Sequence, residues 1–155
     1  MMPDQARELL RNEKKFLMRV LKDFSPEHAD FAPAAGMMTV SQQIRHIAET
    51  MSWFRKGAFE GTFDMDFERL EGRLREPVTI EQALAELEHA YEDYDSFLAG
   101  CTPEDLAEPM APNPVFGELP RLVVFSAQTD HTAHHRGALT VYLRMLGVKP
   151  ELIYT

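Results

Sequence analysis

Two histidines one helical turn apart, His131 and His135, stand in an apolar stretch towards the end of the chain. At i and i+4 their rings share one face of a helix and can reach a single ion. Zinc and its first-row neighbours take neutral imidazole at about 2.0–2.2 Å, and a catalytic site commonly has three protein ligands and one open position. The pair alone is a weak motif and reads more readily as two packed or hydrogen-bonded core histidines than as a metal site. A metal needs a third ligand from elsewhere, and His46 and His89 are the internal candidates.

The remaining chemistry-bearing residues each have a plainer reading beside the functional one. His89 lies in Glu86-Leu-Glu-His89, a Glu-x-x-His pattern used by carboxylate-bridged di-iron bundles. Those need two such motifs and two further glutamates. No second Glu-x-x-His is present, so the di-iron reading fails and His89 reads as a surface or hydrogen-bonded histidine. His134 lies about 60° off the stripe that carries His131 and His135; it can orient a ligand or substrate, or pack between helices. Arg136 points away and reads as half of a surface ion pair. His28 falls in a loop and reads as exposed. Cys101 is the only cysteine, which rules out an intrachain disulfide and fits a reducing compartment; it reads as a structural or incidental thiol.

Holding the histidine pair requires one long helix, and Pro120–Gly147 reads as that helix, about 40 Å at 1.5 Å per residue. Pro120 suits a first helical position, Gly147 suits the left-handed residue past the end, and Pro150 stops the chain beyond it. At 100° per residue, Val124, Ala127, His131, His135, Ala138, Tyr142 and Met145 fall within about 40° of one direction and form the expected inward stripe.

Three amphipathic segments precede it. The first runs from Pro3 to about Phe24, with Leu9, Leu10, Phe16, Leu17, Val20, Leu21 and Phe24 at helical spacing. The second starts at the capping box Thr39-Val-Ser-Gln42 and runs to about Phe59, with the stripe Val40, Ile44, Ile47, Met51, Phe54 and Ala58. His46 lies about 120° from that stripe, beside Gln42, Thr50, Trp53 and Gly57, so this helix touches both a core and a cleft or subunit interface. The third starts at the capping box Thr79-Ile-Glu-Gln82, carries Ile80, Leu84, Leu87, Tyr91, Tyr94 and Leu98 inward, and closes at Gly100.

The link Gly61–Val78, with a helical turn within Phe67–Arg75, is long enough to cross the molecule, so its flanking helices need not be antiparallel neighbours. Thr102-Pro103-Glu-Asp105 begins a short helical turn, and Met110–Leu119 is an extended loop. With no run of alternating strands, the 155 residues read as one all-α domain, a four-helix bundle.

Charge narrows the partners. Twenty-five acidic against 16 basic residues give a net charge of -9, which repels nucleic acid and anionic lipid. The basic clusters (Arg11, Lys14, Lys15; Arg69, Arg73, Arg75) are interleaved with acids and read as solvated helix faces. No apolar run approaches the roughly 20 residues that span a bilayer, and the N-terminus lacks a secretory signal, so cytoplasm is the expectation.

His131-Thr-Ala-His-His135-Arg-Gly137, followed by Tyr142-Leu-Arg144-Met-Leu-Gly147, closely resembles the signature helix of the DinB-like family. Thr39-Val-Ser-Gln-Gln-Ile-Arg-His46-Ile-Ala-Glu49 is similar to that family's second-helix histidine motif. The likeness covers nearly the whole chain in helix order and loop placement. It implies an up-down-down-up bundle with a long crossover between the second and third helices, and a homodimer. It also implies a divalent metal (zinc, nickel, iron or manganese) held by His46, His131 and His135. Ala138 departs from the pattern, since the family often has glutamine there.

Waters or an acidic side chain could complete the coordination. Glu49, one turn after His46 and about 60° away, is the best-placed candidate general base, with a capping or surface glutamate as the plainer reading. Asp130 could accept the second N–H of a ligand histidine or face solvent. The resulting expectation is a metal-dependent hydrolase acting on a small electrophilic substrate through water acidified by the metal. One alternative is a transferase or isomerase in which the metal activates a low-molecular-weight thiol. A non-enzymatic, stress-linked binding protein is the other.

Overall fold

Threonines start two of the long helices. In the computed structural model, which describes residues 1–152, α1 spans Pro3–Leu21, α2 Val40–Glu60, α3 Phe67–Leu74, α4 Ile80–Ala99, α5 Pro103–Ala107 and α6 Val123–Met145. Thr39 and Thr79 accept hydrogen bonds from the backbone of Gln42 and Gln82, whose side chains accept in return from the threonine N–H groups. Each reciprocal pair satisfies two donors that a helix start would otherwise leave without a partner. A third box, Thr102 with Asp105, starts α5.

The four long helices form the bundle, with α2 packed on α4 and α6, and α1 packed on the same two. Cross-helix pairs give the directions. Arg45 meets Glu86 and Arg55 meets Asp93, so numbering rises together along α2 and α4, which run parallel. His46 meets His131 while Gln43 meets His135, so α2 and α6 are antiparallel. The link that carries α3 recrosses the molecule between the two parallel helices. Leu17, Ile44, Ile47, Met51, Leu87, Leu98 and Leu139 fill the fully buried centre. Among the described residues, no helix is long and apolar enough to cross a membrane.

Three local expectations change. Helix α6 starts at Val123, not Pro120, because residues 120–122 are tied back to α5 and the segment after it. Arg121 N–H donates to the Glu108 carbonyl at 3.0 Å and Leu122 N–H to the Leu106 carbonyl at 2.9 Å. Gly147 is left-handed as the sequence suggests (φ 80°), but Gly100 closes α4 in the right-handed region. His28 is half-buried; its Nδ1 accepts from the Ser25 N–H at 3.1 Å in a short 3₁₀ turn.

The inward face of α6 is rotated by about 70° from the expected stripe, taking 100° per residue. Its buried residues are Val124, Phe125, Gln128, Thr132, His135, Leu139, Tyr142 and Leu143, whereas Met145 is 57% exposed. Glu13 of α1 explains the rotation. Its Oε1 accepts from Tyr91 Oη (2.8 Å), Thr132 Oγ1 (3.1 Å) and Gln128 Nε2 (3.3 Å), all within the bundle. Two polar positions on α6 thereby become core positions, and His131 moves to the rim.

Candidate metal centre

Antiparallel packing of α2 against α6 puts His46 opposite the His131–His135 pair. The ring centroids lie 5.0 Å (46–131), 4.7 Å (46–135) and 4.6 Å (131–135) apart. Nε2 of His46 and Nε2 of His131 are 3.1 Å apart, and one ring nitrogen from each of the three residues lies within 4.8 Å of the others. Two nitrogens each about 2.1 Å from a tetrahedral ion are separated by about 3.4 Å, near the 3.1 Å between His46 and His131. The set of three, spread over up to 4.8 Å, would have to draw in slightly around an ion. His89, the other candidate third ligand, is exposed and outside the cluster.

Gln43, buried one turn before His46, completes the arrangement. The Nδ1–H of His135 donates to Gln43 Oε1 at 3.0 Å, which fixes the tautomer and leaves the Nε2 lone pair of His135 free for an ion. Burial depresses the basicity of all three rings. His131 falls to about 4 and His135 to about 3, each lowered further by its neighbouring histidines; His46 is lowered by burial and by His134. Neutral imidazole is the form that binds metal, so the cluster is in its binding form at neutral pH. The Nδ1 of His131 is buried without a hydrogen-bond partner among the described residues.

The other candidates lie around this centre. His134 is exposed and edge-on to His135 at 5.0 Å. Asp130 is exposed and acts on His131 through its charge. Arg136 lies 5.7 Å over the Phe16 ring. Glu49 pairs with Arg73 at 2.5 Å on the side of α2 that faces α3 and α4, in a groove of about 510 Å³ that His89 also lines. Burial pushes its carboxyl up, against the pull of Arg73. Cys101 is half-buried, its thiol donating to the Phe97 carbonyl, and burial pushes its pKa up, unlike a thiol activated for attack. Glu13 lies in no motif, and Gln43 lies within the Thr39–Glu49 segment without a role assigned from it; the signal each gives is a polar residue at a core register of an amphipathic helix.

A four-helix bundle with three neutral imidazoles converging from two of its helices defines a class of candidate metal-binding bundle proteins. The family model of the DinB superfamily matches residues 8–139, and the chain belongs to that superfamily. Two solved structures share the fold. One is the DinB-like protein YjoA from Bacillus subtilis, with a TM-score of 0.73 and 18% identity over 96% of this chain and 97% of that one. The other is YfiT from Bacillus subtilis, described as a probable metal-dependent hydrolase with an unusual four-helix bundle topology. It has a TM-score of 0.72 and 18% identity over 95% of this chain and 89% of that one. No curated protein matches.

Proposed function

We propose that the protein is a metal-dependent hydrolase of a small electrophilic substrate, with His46, His131 and His135 holding a divalent transition ion. The observation that carries this reading is the convergence of three neutral imidazoles, one of them oriented by Gln43. The description of YfiT supports the same direction. A bound ion would supply Lewis acidity to a substrate oxygen and lower the pKa of water. The chain's own contribution is to hold the three rings neutral and aligned. In this reading Glu49 serves as general base, which requires its carboxylate to leave Arg73.

The test is metal analysis of purified protein, followed by turnover of an ester and amide panel with and without a low-molecular-weight thiol. About one ion per chain and thiol-independent hydrolysis are the expected results. Turnover that requires a thiol, and survives Cys101→Ala, would replace hydrolysis with thiol transfer. Metal binding without turnover under either condition would make this a binding protein. Glu49→Gln should lower turnover by about 10²–10⁴-fold at unchanged metal content; full activity would leave Glu49 as no more than the partner of Arg73.

A further inference from the structure

Four aromatic rings converge beside His131, through Phe54. Phe54 stands edge-on to His131 at 6.2 Å and packs against Trp53 (5.2 Å) and Phe116 (6.0 Å); Phe63 completes the group at 4.8 Å from Trp53 and 5.7 Å from Phe116. Two of the four come from loops, and both loops are pinned. The indole N–H of Trp53 donates to the Asp64 carbonyl at 2.8 Å. Phe63 lies flush on α2 at Gly57, where an added Cβ would come within 2.2 Å of the ring. The side chain of Asn113 makes four hydrogen bonds within its own loop, two of them accepted from the N–H groups of Val115 and Phe116.

Rings that only closed the end of the core would be buried as Tyr94 and Phe125 are, each 1% exposed. Trp53, Phe63 and Phe116 instead stay half-exposed. Trp53 lies seven residues after His46 on the same side of α2, about 10 Å along the axis. Its indole packs on Phe54, the ring that stands edge-on to His131, and also lines the groove that holds Glu49.

We propose that Trp53, Phe63 and Phe116 form a wall that receives the aromatic or bulky apolar substituent of a small molecule whose polar end engages the metal. This rests on the metal reading above and adds the substrate class: a polar reacting group joined to an aromatic ring by a linker of two or three carbons.

Zinc-loaded protein is titrated with acetohydroxamate and with 3-phenylpropanohydroxamate, following heat and the fluorescence of Trp53, the only tryptophan in the chain. The phenyl probe should bind about tenfold tighter or more, from the apolar area it buries. Only that probe should shift the Trp53 emission. Phe116→Ala should cut the affinity ratio at least threefold, leaving zinc content and acetohydroxamate affinity unchanged. Phe116→Leu, which keeps apolar cover but removes the ring, serves if the alanine variant does not fold. Equal affinities for the two probes, with zinc bound, would overturn the wall and spare the metal site. Failure to take up zinc would overturn both.

Discussion

Helix α6 carries buried polar clusters on two of its sides. On the side of α1 and α4, Glu13 Oε1 collects donors from Tyr91, Gln128 and Thr132, so hydroxyls and amide all have an acceptor. Among these four residues the atoms left over, Glu13 Oε2 and Gln128 Oε1, are acceptors. On the side of α2, Nε2 of His46 faces Nε2 of His131, and His131 Nδ1 has no hydrogen-bond partner among the described residues. A buried polar group without a partner costs about 1–3 kcal/mol. The first cluster is arranged to hold three helices together; the second turns the Nε2 atoms of His46 and His131 towards each other, and an ion would satisfy those lone pairs. Polar burial alone is therefore a poor mark of function, and the useful question is whether the partners are already inside the protein.

Removing the acceptor of the first cluster should have the largest effect. Glu13→Ala takes the acceptor from the buried Tyr91 and Thr132 hydroxyls, while Gln128 keeps its bond to Thr132 Oγ1. It should cost about 3 kcal/mol or more in denaturant unfolding, with metal content kept in the folded fraction. A loss below about 1 kcal/mol would mean the network contributes little. Metal should act on the second cluster only. An ion at 100 times its Kd adds about 2.7 kcal/mol, a melting rise of roughly 5–11 °C for a domain near this size. His46→Ala, His131→Ala and His135→Ala should each lose that rise and most of the metal, while His89→Ala and His28→Ala keep both.

A smaller effect tests the orienting bond between Gln43 and His135. Gln43→Ala should weaken metal binding about 10–100-fold in a competition titration, with little change in the melting of metal-free protein. The smallest effect concerns pH. Burial raises the Glu13 carboxyl above its ordinary value of 4.5, so the folded state holds that proton more tightly than the unfolded chain. The resulting stability is complete below that value and is lost as pH rises through the raised one. Glu13→Gln should remove this slope, seen as a stability difference from the parent that changes across mildly acidic pH and then levels off. Parallel pH curves for the two proteins would show that Glu13 does not titrate differently in the fold.

The parts of the structure that were legible in the sequence are those set by near neighbours. Thr39–Gln42 and Thr79–Gln82 cap where their spacing says, and His131 and His135 share a face because they are four residues apart. The turn expected within Phe67–Arg75 is α3. What was not legible depends on partners far along the chain. Glu13 is three residues after Leu10 and four before Leu17, on the core register, but within Arg11-Asn-Glu-Lys-Lys15 it looks solvated. Gln128 and Thr132 look like an outer face until Glu13 is brought to them, hence the misjudged rotation of α6. Pairing of Glu49 with Arg73 depends on where the crossover lands, which no local pattern encodes.

The neighbours of α1 have a consequence for how the chain folds. It is the first helix in the chain, yet its main partners are α4 and α6, not the α2 that follows it. Its side-chain bonds to Asp95 and Thr132 close spans of 88 and 119 residues. Closing such loops comes before the contacts that reward them, and folding slows as mean contact separation grows. The protein should therefore fold more slowly than an up-and-down bundle of the same length. Helix α1, carrying a carboxylate destined for the interior, should dock only after α4 and α6 have come together.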